Sequence, residues 1–146
     1  METDPVKKLL IFDPLSNFTV HPHTKAVATN TSKPVLTIKI PIVNMSYSDH
    51  TKLCLSFCAL HPDCALCSAF PDEYTMVVPD QDKVIGPAGH NGTLFCLLFI
   101  RSTSGASDWV GSSLVFGAVT YVSAGVTEVR DGGRPHSPGL FEKKLG

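Results

Sequence analysis

The sequence predicts an all-β fold: a single-domain β-sandwich or jelly-roll-like barrel with short or no helices. Three observations carry that expectation. Several segments alternate apolar and polar residues with the period of two that a half-buried strand requires. Eleven Gly and eleven Pro, many of them between those segments, supply turns at short intervals. No window holds a sustained helical period, and strands separated by turns alone pack as a sandwich or close as a barrel.

The clearest segment is 35–43, where Leu36, Ile38, Ile40 and Ile42 point one way and Thr37, Lys39 and Pro41 the other. Pro41 cannot donate to a ladder, which places this strand at a sheet edge or ends it there. Lys52 to Leu60 also alternates, with Leu53, Leu55 and Phe57 opposite Cys54, Ser56 and Cys58, and is read as a second strand. Asp63 to Ser68 has room for one helical turn. Tyr74 to Val78 is a short strand stopped by Pro79-Asp80. Thr93 to Arg101 is apolar on both faces, as in a central strand. Leu114 to Val122 collects strand formers around Gly117, which marks a bulge or a close approach. The core expected from this pattern is Leu36, Ile38, Ile40, Leu53, Leu55, Phe57, Leu94, Leu98, Phe116 and Val119. One domain is expected over 1–130, with 1–33 partly irregular and 131–146 a flexible C-terminal tail rich in Gly and Pro.

Composition narrows the function. With 43% hydrophobic and 17% charged residues in 146, the chain is globular and large enough for a core of its own. A formal charge of −1 offers no broad attraction to nucleic acid or acidic lipid. The N-terminal apolar run, Leu9 to Phe12, is too short for a secretory h-region. The longest apolar run, Leu94 to Ile100, falls far below the ~20 residues that span a bilayer. Five cysteines is an odd number, so reduced thiols and an intracellular, non-secreted protein are expected. On that expectation the sequons at Asn17, Asn30, Asn44 and Asn91 read as chance matches.

Motifs for catalysis are lacking: no nucleophile elbow, Walker loop, HExxH or dinucleotide fingerprint is present, and no enzyme is expected. Cys58, His61, Cys64 and Cys67 bring thiolate and imidazole to the short spacing that tetrahedral zinc uses, with Cys54 and His50 just upstream. The alternative is that these cysteines are small core residues. Basic residues are scattered. Lys39 and Arg101, within strands, can line a groove that follows phosphates, with Tyr47, Tyr74, Trp109 or Tyr121 for stacking. Arg130 and Arg134 flank a turn at Asp131-Gly132-Gly133, which leaves Arg130 free to meet a phosphate. The other reading of all four is ordinary surface charge.

Four pieces of the second half occur in a recognisable order. Val77-Val78-Pro79 closes a strand, and Thr93 to Ile100-Arg101 is an apolar strand ending Ile-Arg. Ser113-Leu114-Val115-Phe116 opens a strand that runs through Tyr121-Val122, and Val129-Arg130-Asp131-Gly132-Gly133 comes last. This succession resembles the 30K superfamily of plant-virus cell-to-cell movement proteins, most closely the tobamovirus type, over about Leu53 to Gly133. The family's hallmark aspartate, at the end of the strand matched by Leu53 to Cys58, has no counterpart there; Asp63 lies a few residues late. The long charged C-terminal extension of family members is also missing. The resemblance implies a jelly-roll-like domain that binds viral nucleic acid, usually single-stranded, and supports transport through plasmodesmata. It further implies host plasmodesmal or endomembrane partners, self-association, and a place in the host cytoplasm and at cell junctions with peripheral membrane contact. The alternatives are a small capsid-like or matrix-like β protein and a zinc-supported interaction module.

Overall fold

The computed structural model describes residues 17–28, 34, 36–43, 45–86, 92–100, 108–124, 126–130 and 139–143, with the backbone alone at 108–109, 127–130 and 139–143. In chain order these form β1 (Phe18–Val27), β2 (Leu36–Pro41), α1 (Tyr47–Leu60), β3 (Cys64–Pro71), β4 (Met76–Val78), β5 (Lys83–Ile85), β6 (Thr93–Ile100), β7 (Asp108–Ser123), β8 (Val126–Arg130) and β9 (Gly139–Lys143). Every pairing is antiparallel. The large sheet runs β2-β6-β3-β7-β9-β8, with β1 also on β7, and β4-β5 is a separate hairpin. The fold is all-β, as the alternation predicted, with one helix laid on the sheet.

β7 is long enough to serve two neighbourhoods. Its last residues lie between β3, through Leu66↔Val122 to Ala69↔Val119, and the first half of β1. Its first residues lie between β9 and the second half of β1. The change of neighbour falls at a bulge. The register passes from Pro22↔Val119 to Thr24↔Leu114, so that His23 alone stands opposite Val115 to Ala118. Such an insertion bends the ladder and lets one strand join two layers. His23 (φ 53) and Gly117 (φ 81) take the left-handed conformations that the bend requires. The Gly117 N–H donates to His23 Nδ1 at 3.2 Å, the Tyr47 hydroxyl donates to the Gly117 carbonyl at 2.7 Å, and the His23 ring stacks on Phe116. A Cβ at Gly117 would stand 3.1 Å from the Val77 side chain in a backbone region hostile to L side chains. Gly117→Ala is therefore expected to lower unfolding stability by about 1–3 kcal/mol, read from the midpoint of a urea titration at unchanged slope.

The bend creates two cores. On one face α1 packs Leu53, Cys54, Leu55 and Cys58 against Ile40, Leu94, Cys96, Leu98, Val119 and Tyr121. On the other, the folded-over part of β1 and β7 brings Ala26 and Val110 to Leu66, Phe99 and Val122. Polar groups there are paired: Ser68 Oγ accepts from the Ala26 N–H and bonds the Thr120 hydroxyl, which reaches the Thr24 carbonyl. An apolar crossing of this kind tolerates hydroxyls only when they are satisfied in this way.

The largest departure from expectation is α1, which takes the place of the strand read over 52–60. Its start is fully satisfied. Tyr47 N–H donates to the Asp82 carbonyl, Ser48 N–H and hydroxyl donate to Asp82 Oδ1, and Asp49 N–H donates to the capping Ser46 Oγ. These bonds hold the Asp82 carboxyl below the usual carboxylate range, those from Ser48 being the strongest cause. His50, wholly buried, accepts from Val43 N–H at Nε2 and meets the Ser46 carbonyl through Nδ1.

The cysteines overturn the expectation of reduced thiols. Cys54 bonds Cys96, fastening α1 to β6, and Cys58 bonds Cys64, fastening the end of α1 to the start of β3. Other corrections are smaller. β3 replaces the helical turn at 63–68, β9 occupies part of the expected tail between β7 and β8, and β1 is the regular part of 1–33. Of the predicted core, Leu36 and Phe116 are exposed at 46% and 68%, because β2 is an edge strand beyond the helix and Phe116 sits on the bulge. Ile38 and Phe57 are half-buried at the margin, and the other six are buried.

Candidate nucleic-acid interface

The sulfur and imidazole set proposed for zinc does not assemble. Cys58 and Cys64 share a disulfide and have no thiolate to give. Cys67 is the one free cysteine, with no exposed surface, and burial pushes its thiol far up despite a backbone hydrogen bond at Tyr121. His61 Nδ1 accepts from the Asp63 N–H in the turn that follows α1. A ligand set needs ionisable sulfur and converging lone pairs. Here the spacing serves a short loop closed by a disulfide.

Of the four basic residues expected at a phosphate-tracking groove, Lys39 is the one whose side chain is described, and it is exposed on β2. Arg101 and Arg134 lie outside the described residues. Arg130 ends β8, its backbone opposite Gly139. Among the stacking candidates, Tyr47 and Tyr121 are committed inside. Burial is the chief cause that pushes both phenols up to about 12, with Tyr121 and Asp82 adding to it at Tyr47 and Cys67 at Tyr121, where a bond to Thr51 opposes it. The side chain of Trp109 lies outside the described set. Tyr74, 67% exposed, is free to meet a ligand.

The register assembles a surface that no single segment shows. On the sheet face away from α1, Lys39 stands opposite Phe95, and Phe95 opposite Phe70. The two rings lie 5.4 Å apart at an interplanar angle of 31°. Lys25, from β1, completes the row with its ammonium 4.0 Å from the Phe70 ring centroid, a cation–π contact. Cation, ring, ring and cation thus follow one another across the sheet. Beside them is an open hollow of about 580 Å³ lined by Lys25, Phe70, Phe95, Tyr74 and Val115, with Pro71, Asp72 and Glu73 at its rim. Burial works against ionisation of Asp72. Hydrogen bonds from the Thr75 hydroxyl and from backbone N–H groups outweigh it and hold the carboxyl below the usual range. The rim is therefore anionic at neutral pH and limits how strongly the face attracts a polyanion.

Lys25, Phe70 and Phe95 were not singled out from the sequence. Phe70 and Phe95 lie 25 positions apart, and their common face is set by pairing through β3 and β6. A second hollow of about 280 Å³, between β2 and α1, is lined almost wholly by apolar groups such as Ile38, Ile40, Val43, Leu53 and Phe57, with Lys39 the one charged residue of its lining and no set of converging polar groups to orient a ligand. Among the described residues, no helix is long and apolar enough to cross a membrane. No family model, curated protein or solved structure matches the chain.

Proposed function

We propose that the chain acts by binding rather than by catalysis, and that the face formed by Lys39, Phe95, Phe70 and Lys25 holds single-stranded nucleic acid. The row of two adjoining rings flanked by cations is the observation that carries this reading. Bases of a single strand have free π-faces for Phe95 and Tyr74, and the lysines stand where the backbone phosphates pass. In the free protein Lys25 covers Phe70; on binding, its ammonium moves to a phosphate and uncovers the ring. With two lysines engaged and an acidic rim beside them, binding is weak, non-specific and salt-sensitive.

The test is anisotropy of a labelled single-stranded thymidylate tract. Stacking on an aromatic ring contributes about 1–3 kcal/mol per base, so Phe95→Ala should weaken binding by roughly five- to 150-fold. Lys39→Ala should lower the slope of log affinity against log salt by about 0.7, the release expected for one phosphate of a single strand. Unchanged binding in both folded variants would sink the reading. Equal binding of a heparin fragment by the parent and Phe95→Ala, with none of the oligonucleotide, assigns the face to charge alone and also removes it.

A second reading has a specific support. The described parts of the pieces that carry the resemblance to movement proteins fall at the end of β4, on β6, within β7 and at the end of β8, in an all-β chain. We propose on that basis a viral movement role, with viral nucleic acid and host plasmodesmal or endomembrane components as partners and peripheral contact with membrane. A fluorescent fusion should form puncta at plant cell walls and spread between cells, and Arg130→Ala should stop the spread without unfolding the domain. A fusion that stays diffuse in single cells removes this role.

A further inference from the structure

Asparagine occurs in this chain in a single context. Its four copies, Asn17, Asn30, Asn44 and Asn91, each stand two residues before a Ser or Thr (Thr19, Ser32, Ser46, Thr93), never with Pro between. Ser and Thr make up 25 of the 146 residues, so four such matches arise by chance about once in a thousand sequences of this composition. Asn17 directly precedes β1, and the other three lie outside the described residues.

The structure supplies two independent observations. Cys54–Cys96 and Cys58–Cys64 lock the helix to the sheet, and structural disulfides form and persist in oxidising compartments, where N-glycan transfer also takes place. Asn17 is exposed immediately before β1, and its carbonyl accepts the Ala124 N–H at 3.0 Å, which fixes the backbone at the end of the β1–β7 ladder. Thr19, the hydroxyl residue of the sequon, is exposed as well.

We propose that Asn17 carries an N-linked glycan and that the domain matures in an oxidising secretory lumen. In the transfer, the Asn17 side-chain nitrogen bonds the anomeric carbon of the oligosaccharide. The bond from that carbon to a lipid-linked diphosphate donor breaks, the diphosphate leaves with the electron pair, and the amide proton passes to a base of the transferase. The position gives the glycan a physical role. Through 18–22, β1 has β7 on one side and no second strand beside it among the described residues. A bulky solvated group at the first turn of that edge blocks edge-to-edge pairing with another chain.

This inference goes beyond the nucleic-acid reading and does not rest on it. It competes with the transport role, which needs the folded domain on the cytoplasmic side. The test is peptide mapping of the native protein after release by peptide N-glycosidase in ¹⁸O water. The peptide containing residue 17 should appear as ¹⁸O-labelled Asp; recovery solely as unmodified Asn overturns the proposal. In parallel, the full chain is expressed in eukaryotic cells behind a cleavable secretory leader. Thr19→Ala should migrate one glycan step faster, and Thr19→Ser, which keeps the sequon, should migrate with the parent. Identical migration of Thr19→Ala and the parent, with both disulfides formed, also overturns it. Oligonucleotide binding by a chain with unmodified Asn17 leaves the nucleic-acid reading standing alone, and a glycosylated chain that ignores oligonucleotide leaves the glycan standing alone.

Discussion

Replacing Cys54 and Cys96 together by Ala is expected to lower unfolding stability by about 4 kcal/mol, the loop-closure entropy of a cross-link at this separation. The bond joins residues 42 apart, so in the unfolded chain it removes far more freedom than Cys58–Cys64, which closes a loop over a separation of 6 and is expected to contribute about 2 kcal/mol. Alanine is the appropriate replacement. Both sulfurs are wholly buried, and a serine would add the separate cost of an unpaired hydroxyl. Against a typical total of 5–15 kcal/mol the loss is large. Urea unfolding with and without a thiol reductant checks it. The parent should weaken strongly in reductant and the double variant much less, since the short bridge alone remains. A parent unaffected by reductant under conditions shown to open both bonds contradicts the stapled core.

Leu98→Asp is expected to abolish the cooperative transition altogether. Leu98 is 1% exposed in β6, under α1 and beside Cys67 of β3. An aspartate there would be ionised without a partner or would bind a proton at a heavy cost, and either route removes several kcal/mol. The control comes from its own cross-strand partner. Leu36 stands directly opposite Leu98 yet is 46% exposed, because β2 is the sheet edge. Leu36→Asp should therefore cost no more than about 1 kcal/mol. Both are read from thermal and urea unfolding. Similar losses at the two positions would contradict the placement of the helix over Leu98 and away from Leu36.

Local pattern was enough wherever a segment has one wet and one dry side. The alternation over 36–41 marked β2 and its buried Ile40, Pro41 pointed to an edge, and Gly117 announced the bulge on which β7 turns. These features are written in single residues and their nearest neighbours, and the all-β class follows from them. The helix was not legible by period, since His50, Thr51, Leu53, Cys54, Leu55, Ser56 and Cys58 are buried around most of its circumference. With so little solvent face there is no 3.6-residue signal, and the chance alternation of Leu53, Leu55 and Phe57 imitates a strand. The available clue was chemical: Ser46 followed three residues later by Asp49, a capping sequence before an apolar run. The disulfides and the row of lysines and rings were beyond any local pattern. Whether Cys54 meets Cys96, or Lys39 shares a face with Phe95 and Phe70, depends on strand register and on the seat of the helix. Tertiary packing alone sets those, because contacts between residues so far apart in the chain have no local energy to encode them.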